Sequence, residues 1–239
     1  FTGNVGIGAT SSTHILNVDS KEVDDAYTPT SFNDKSQIRI VAKNTENNYA
    51  GINFSHDGGT EGFLGFVRTT STTDIADFVF QGYDGGVNAY KEYMRINHSG
   101  IVTKPNQPAF SVYRNSGAAN SSLGANGVIV CNGEHFDTGG NHNTSTGRFT
   151  APVAGKYMIS SFHMSTNDAT YDNKNYTVNV NGSIYKEVYG SSGDAVHHQF
   201  NWSGIIQLAA NDYVTLNYQN FNIYGSHANY STFSGHLIG

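Results

Sequence analysis

Short stretches in which apolar and polar side chains alternate recur along this 239-residue chain, separated by clusters of Gly, Asn, Asp and Ser. A period of two is the mark of a half-buried β-strand. In the first half it predicts strands at 37–42 (QIRIVA), 49–55 (YAGINFS), 62–68 (GFLGFVR), 77–81 (DFVFQ) and 92–97 (EYMRIN). Turn signals divide them at His56-Asp57-Gly58-Gly59, Asp84-Gly85-Gly86 and His98-Ser99-Gly100. In the second half the alternation is incomplete. Within KYMISSFHM (156–164), Tyr157 and Ile159 point one way while Met158, Phe162 and Met164 point the other. Apolar residues on both faces of a strand imply that both faces are covered. An opposing sheet accounts for one face, and a neighbouring copy of the chain is the expected cover for the other. The mixed patterns of 213–218 (YVTLNY) and 232–238 carry the same implication, because soluble monomers avoid contiguous apolar surface.

The opening segment is different. Val5, Ile7, Ile15, Leu16 and Val18 alternate with Gly3, Gly6 and Gly8. The glycines leave too little side chain for an isolated strand, but three copies wrapped about one axis could bury the apolar positions. A disordered linker is the competing reading. Pro105 and Pro108 fit no central strand and mark a handover between modules. The expected organisation is a stalk segment at 1–20, an intermediate β-domain at 21–107 and a head at 108–239.

Composition narrows the class. Charged residues are 13%, about half the usual share, and the polar load falls on Asn, Ser, Thr and 27 glycines, with 13% aromatics. Tyr, Phe, Val and Thr favour pleated surfaces, so an all-β chain is expected. A net charge of -6 with scattered Lys and Arg argues against nucleic acid as a partner. No apolar run approaches the roughly 20 residues that cross a bilayer, so membrane insertion is not expected. The first residues read like the middle of a longer protein, and a missing amino-terminal part would hold its other partners. Cys131, the single cysteine, sits in GVIVCNG and reads as a buried, inert thiol. The ten histidines include the adjacent His197 and His198, yet none falls in a metal-binding motif. No metal or other cofactor is expected. Neither Gly-x-Ser-x-Gly nor a distinctive carboxylate pair is present, so catalysis is not expected either.

Three segments resemble a known family. GRFTAPVAGKYMI (147–159), SGIIQLAANDYVTL (203–216) and STFSGHLIG (231–239) occur in the order found in the globular head of the complement q subunit, a TNF-like jelly roll. Pro108, Ala109, Phe110 and Ser111 match that family's opening strand. Asn143, Thr146, Gly147 and Phe149 match its first hairpin, and Pro152, Gly155 and Tyr157 its central turn and strand. Leu208, Asp212 and Val214 match its late hairpin, and Phe233, Ser234 and Gly235 its closing strand. Ile159 stands where the family has Phe, the next aromatic being displaced to Phe162. The resemblance implies a ten-stranded jelly-roll β-sandwich that assembles as a homotrimer. No collagen-like Gly-X-Y run is present. Instead FTGNVGIGATSSTHILNV at the start and YMRINHSGIVTKPNQPAF before the head resemble bacteriophage tail-fibre sequences. Two three-fold modules join without a symmetry mismatch.

In such a jelly roll the first and last strands meet the base, and successive connections alternate between base and apex. AAND (209–212), NG (181–182) and PVAG (152–155) then fall at the base. NDATYDN (167–173), GSSGDA (190–195) and FNIYGSHAN (221–229) fall at the apex. Long loops at one end of a rigid scaffold commonly carry binding. The candidate ligand-binding set is Asp168, Tyr171, Asp172, Asn173, Tyr189, Asp194, His197, Asn222, Tyr224 and His227. Aromatic faces stack on sugars while carboxylates and amides meet their hydroxyls. The expected function is the distal tip of a virion tail fibre that recognises host lipopolysaccharide or capsule. A structural trimerisation or decoration fibre, a polysaccharide depolymerase and a secreted complement-type lectin are the alternatives.

Overall fold

A computed structural model describes residues 45–56, 59–70, 75–115, 126–165, 174–189, 197–220 and 230–239, together with Ile40 and Ile223. The stalk segment and most of the strand expected at 37–42 lie outside these; Ile40 belongs to no strand. The chain divides into two compact units, 1–103 and 104–239.

The first unit is an antiparallel meander in the order β1 (Tyr49–His56), β2 (Gly59–Arg68), β3 (Ala76–Asp84), β4 (Ala89–Ile96) and β5 (Val102–Thr103). The four strands read from 49–97 are present, and the short β5 is added. The turns form where Gly and Asn allow them: the Asp84 carboxylate accepts the Gly86 N–H at 2.9 Å, and Gly100 adopts φ +79°. Register gathers Ile52, Leu64, Phe66, Phe78, Phe80 and Met94 on one face. Phe78 meets Phe66 edge-on at 4.8 Å and Phe80 at 5.1 Å. On the other face Asp77, nearly buried, accepts hydrogen bonds from Arg95 Nη1 at 2.7 Å and the His98 N–H at 3.0 Å. Burial alone would raise the Asp77 pKa, but these donors outweigh it and hold the carboxyl below its usual value.

The second unit is a two-layer sandwich. One sheet runs β14 (Gln199–Leu208), β11 (Gly155–Met164), β16 (Ser231–Leu237), β6 (Ala109–Tyr113) and β8 (Gly133–Thr138). The other runs β13 (Ser183–Tyr189), β12 (Asn175–Val180), β15 (Tyr213–Gln219), β10 (Arg148–Thr150) and β9 (His142–Asn143), with β7 (Asn126–Val128) also paired to β15. The sequence resemblance implied ten strands; among the described residues this unit has eleven strand segments, of which β7, β9 and β10 are only two or three residues long. The chain is all-β and the unit is a jelly roll.

Between the layers lie Phe110, Val112, Phe149, Tyr157, Ile159, Tyr176, Val178, Phe200, Leu216 and Phe233, each almost fully buried. Phe110 stacks on Phe149 at 4.4 Å and meets Phe233 edge-on at 4.8 Å, offset and T-shaped geometries that suit aromatic quadrupoles. In β11 the two apolar sets lie on opposite faces, as expected, and Tyr157 and Ile159 are the ones that face this core. Met158, Phe162 and Met164 sit half-buried on the outer side of the sheet. Ile205, opposite Met158, is 55% exposed, and Phe136, opposite Ser111, is 53% exposed.

Candidate functional site

Strand register brings the long connections together. Met164 ends β11 opposite Gln199, the first residue of β14, and His163 faces Ser231, the first of β16. In the other sheet Asn175 opens β12 opposite both Tyr189, the last residue of β13, and Gln219, the last of β15. A bridge between Ser165 and Ile223 joins these two sets of strand ends. The chain therefore leaves and re-enters at one rim around 166–173, 190–196 and 220–230. Strand β6 also ends at this rim, with Tyr113 opposite Thr232, and β7 begins there, with Asn126 opposite Gln219. The connection 114–125, which the sequence reading passed over, thus starts and finishes at the same place.

The opposite end is closed by tight turns bonded to one another. Asp212 accepts the Ala209 N–H at 2.7 Å with one carboxylate oxygen and Asn181 Nδ2 at 2.7 Å with the other. The Asn181 Oδ1 in turn accepts the Tyr213 N–H at 3.0 Å. Asn181 and Asn211 both take positive φ, a conformation Asn tolerates through its short polar side chain. Tyr157 donates its hydroxyl to the Val153 carbonyl at 2.8 Å, pinning the turn before β11.

The rim rests on a polar floor. Ser165 is buried; its hydroxyl accepts the His198 N–H at 2.9 Å and its N–H donates to the His198 carbonyl at 2.8 Å. The Arg114 N–H donates to the Ser231 carbonyl at 3.0 Å, and Lys174 is wholly buried beside the start of β12. Two of the candidate residues belong to this described rim. Tyr189 is 67% exposed at the end of β13, and a hydrogen bond to Glu187 raises its pKa. His197, also exposed, donates Nδ1–H to the Ser165 carbonyl at 2.8 Å. Asp168, Tyr171, Asp172, Asn173, Asp194, Asn222, Tyr224 and His227 lie outside the described residues.

Among the described residues no three His, Cys, Asp or Glu side chains are grouped closely enough to hold a metal ion. Cys131 is fully buried, and burial pushes its thiol up to about 12 against the opposing pull of Arg114. A thiol so protonated is a packing element rather than a nucleophile. His163 faces the core of β11 with neither ring nitrogen hydrogen-bonded, and burial drives its pKa down to about 3.

Comparison with known proteins gives the same fold from the sequence side. A family model described as "C1q domain" matches residues 109–238, more than half of the chain. Caprin-2 of Danio rerio is 32% identical over 107 residues, 44% of this chain and 11% of its own length. Human complement C1q tumor necrosis factor-related protein 3 is 30% identical over 116 residues, 47% of this chain and 45% of its own. The chain thus spans less than half the length of either relative. Among solved structures, the globular domain of a zebrafish complement 1qA protein aligns with 56% of this chain and 98% of its own, at 19% identity and a TM-score of 0.44. Through residues 109–238, this chain belongs to the C1q domain family.

Proposed function

We propose that the chain is the recognition end of an extracellular fibre, whose C1q-type head assembles as a homotrimer and binds a cell-surface glycan at the loop-bearing rim. One observation carries this reading. The long, polar, aromatic-containing connections all spring from one end of a rigid sandwich, while the other end is closed by short bonded turns. Loops so placed are free to vary without disturbing the core. Apolar positions on the outer side of the β11 sheet, Met158, Phe162 and Ile205 among them, favour association of like heads. Three copies about one axis would multiply a weak single-site affinity.

The finer reading is the distal tip of a phage tail fibre that binds host lipopolysaccharide or capsule, joined to other tail proteins through upstream sequence. It is supported by the fibre-like stretches FTGNVGIGATSSTHILNV and YMRINHSGIVTKPNQPAF. The vertebrate relatives favour a second reading, a complement-related secreted protein. Both readings make the head a binding module rather than a catalyst.

The test is adsorption of the purified chain to bacterial cells and to their isolated lipopolysaccharide and capsule. Specific adsorption that is lost when Tyr171→Ala and Tyr224→Ala are combined supports the glycan reading. Unchanged adsorption by that variant removes the rim as the site. Absence of adsorption to any bacterial surface leaves the phage reading without foundation.

A further inference from the structure

On the outer face of the β12–β15 sheet the side chains that alternate with the core form a block of hydroxyl and amide groups. Asn175, Thr177 and Asn179 on β12 stand in register with Gln219, Asn217 and Thr215 on β15. Such a face normally lies open to water, but here Asn175 and Asn179 are each 8% exposed and Thr215 only 5%. Asn175, Thr177, Asn179, Asn217 and Gln219 form the floor of a groove of about 360 Å³ that is also lined by Ile184 and Glu187 of β13 and Gly127 of β7. A volume near the low end of the ~300–1,000 Å³ range of ligand clefts suits a small molecule rather than a peptide.

The hydrogen bonding of the floor is incomplete in a specific way. Asn175 donates Nδ2–H to a Glu187 carboxylate oxygen, which fixes its amide and turns Oδ1 away from that partner. Thr215 donates its hydroxyl to Asn217 Oδ1 at 3.0 Å, so Asn217 has its Nδ2 hydrogens left to offer. The Oδ1 atoms of Asn175 and Asn179 are buried and accept nothing. A buried acceptor without a donor is destabilising, and such atoms are rare unless something else satisfies them. We infer that this groove is a saccharide-binding site, in which hydroxyl groups of a neutral sugar donate to Asn175 Oδ1 and Asn179 Oδ1 and accept from Asn217 and Gln219.

The surroundings select that ligand class. Among the described residues no Lys, Arg or His lines the groove, and Glu187 supplies a carboxylate, so phosphate, sulfate and uronate ligands are disfavoured. Vicinal hydroxyls both donate and accept, as this mixed floor requires. Tyr189, largely exposed, stands opposite Asn175 in register, next to the groove, where an aromatic face would suit the apolar side of a sugar ring. The ligand class is that of the proposed function, but the residues are different and lie on strands rather than loops.

The experiment is NMR titration of the intact chain with millimolar glucose, galactose, mannose and N-acetylglucosamine, following backbone amide shifts. Shifts at Asn175, Thr177, Asn179 and Asn217 are expected for at least one sugar, with affinity about tenfold weaker in Gln219→Ala, a surface change that cannot unfold the sheet. Asn179→Leu should abolish those shifts while raising the melting temperature, since it removes an unsatisfied acceptor that only the ligand needs. Shifts confined to the rim loops would overturn the groove and leave the rim reading standing. No shift with any of these sugars, or a lowered melting temperature in Asn179→Leu, would overturn the groove as well.

Discussion

The hydroxyl of Ser161 on β11 lies 2.5 Å from the hydroxyl of Tyr176 on β12, a buried bond that ties one sheet of the sandwich to the other. Ser161 also reaches the Trp202 carbonyl at 3.4 Å, whereas Ser161 is the hydroxyl partner the structure gives Tyr176. The two ends of the bond are therefore not equivalent. Ser161→Ala strands the phenol in the core and is expected to cost about 1–3 kcal/mol. Tyr176→Phe removes the phenol while Ser161 keeps the Trp202 carbonyl, so its cost should stay below about 1.5 kcal/mol. The double variant should be more stable than the sum of the two changes implies. Urea denaturation of the three variants measures all of this, and a Ser161→Ala cost no larger than that of Tyr176→Phe would remove the assigned role of the bond.

Acid should loosen the head. His163 is held neutral by burial, with its pKa at about 3, and burial also lowers the pKa of His142 despite nearby Asp137. In the unfolded chain both titrate near 6.5. Below that value the unfolded state binds protons that the folded state refuses, so stability is intact above about pH 6.5 and falls as pH drops. For His163 the slope is about 1.4 kcal/mol per pH unit, continuing down to its folded pKa. His163→Phe keeps a ring beside Tyr176 but cannot be protonated. Its unfolding free energy should change less between about pH 7.5 and about pH 5.5 than that of the parent chain, by roughly 1 kcal/mol or more. Parallel pH curves for the two proteins would contradict this account.

Much of this fold was legible in the chain, and the illegible parts share a cause. Alternation in 156–164 put Tyr157 and Ile159 on one face and Met158, Phe162 and Met164 on the other, because successive side chains of an unbulged strand point to opposite sides; which face is inward is decided by the opposing sheet. The same rule puts Ser161 and His163 inward, a polar pair that hydropathy alone disguises. Counting antiparallel connections back from the carboxy terminus assigned loops to ends, since register admits no other alternation. The groove was hidden for the opposite reason. NYTVNV (175–180) reads as an ordinary strand with one wet face, and nothing local says that Asn175 and Asn179 are recessed. That follows only from walls supplied by Ile184, Glu187 and Gly127, far apart in sequence and brought together by pairing to β12 and β15. The rim candidates were chosen by loop length and composition, and only Tyr189 and His197 among them fall on described backbone.

Gly235 illustrates how tightly the closing strand is fitted. It faces the core of β16, where a Cβ would come within 2.7 Å of Ile159 Cδ1, 2.8 Å of Phe110 Cε1 and 3.0 Å of the Met158 carbonyl oxygen. The side-chain atoms could shift, but the carbonyl belongs to the neighbouring strand and cannot without breaking the ladder. Gly235→Ala should therefore destabilise by about 1–3 kcal/mol. Gly85, where a Cβ would meet nothing within 4 Å, is the internal control, with an expected change inside about 0.5 kcal/mol. Thermal melts of the two variants check the contrast, and equal melting temperatures would refute the close fit.

Assembly is the point on which the proposed function turns. Ile205 is 55% exposed in the single chain and stands opposite Met158, itself opposite His236, on the outer side of the β11 sheet. A carboxylate there meets water in a lone subunit and costs it little, within about 0.5 kcal/mol. In an interface between heads the same carboxylate would be desolvated without a partner, a penalty large enough to separate subunits. Ile205→Glu should consequently shift the sedimenting species from three chains to one at micromolar concentration, with the β-sheet circular dichroism unchanged. It should also weaken adsorption to cells far more than binding of a single small sugar, because avidity is lost while each site survives. A parent chain that sediments as a stable single subunit, or an Ile205→Glu variant that remains a trimer, would show that this face does not join the heads.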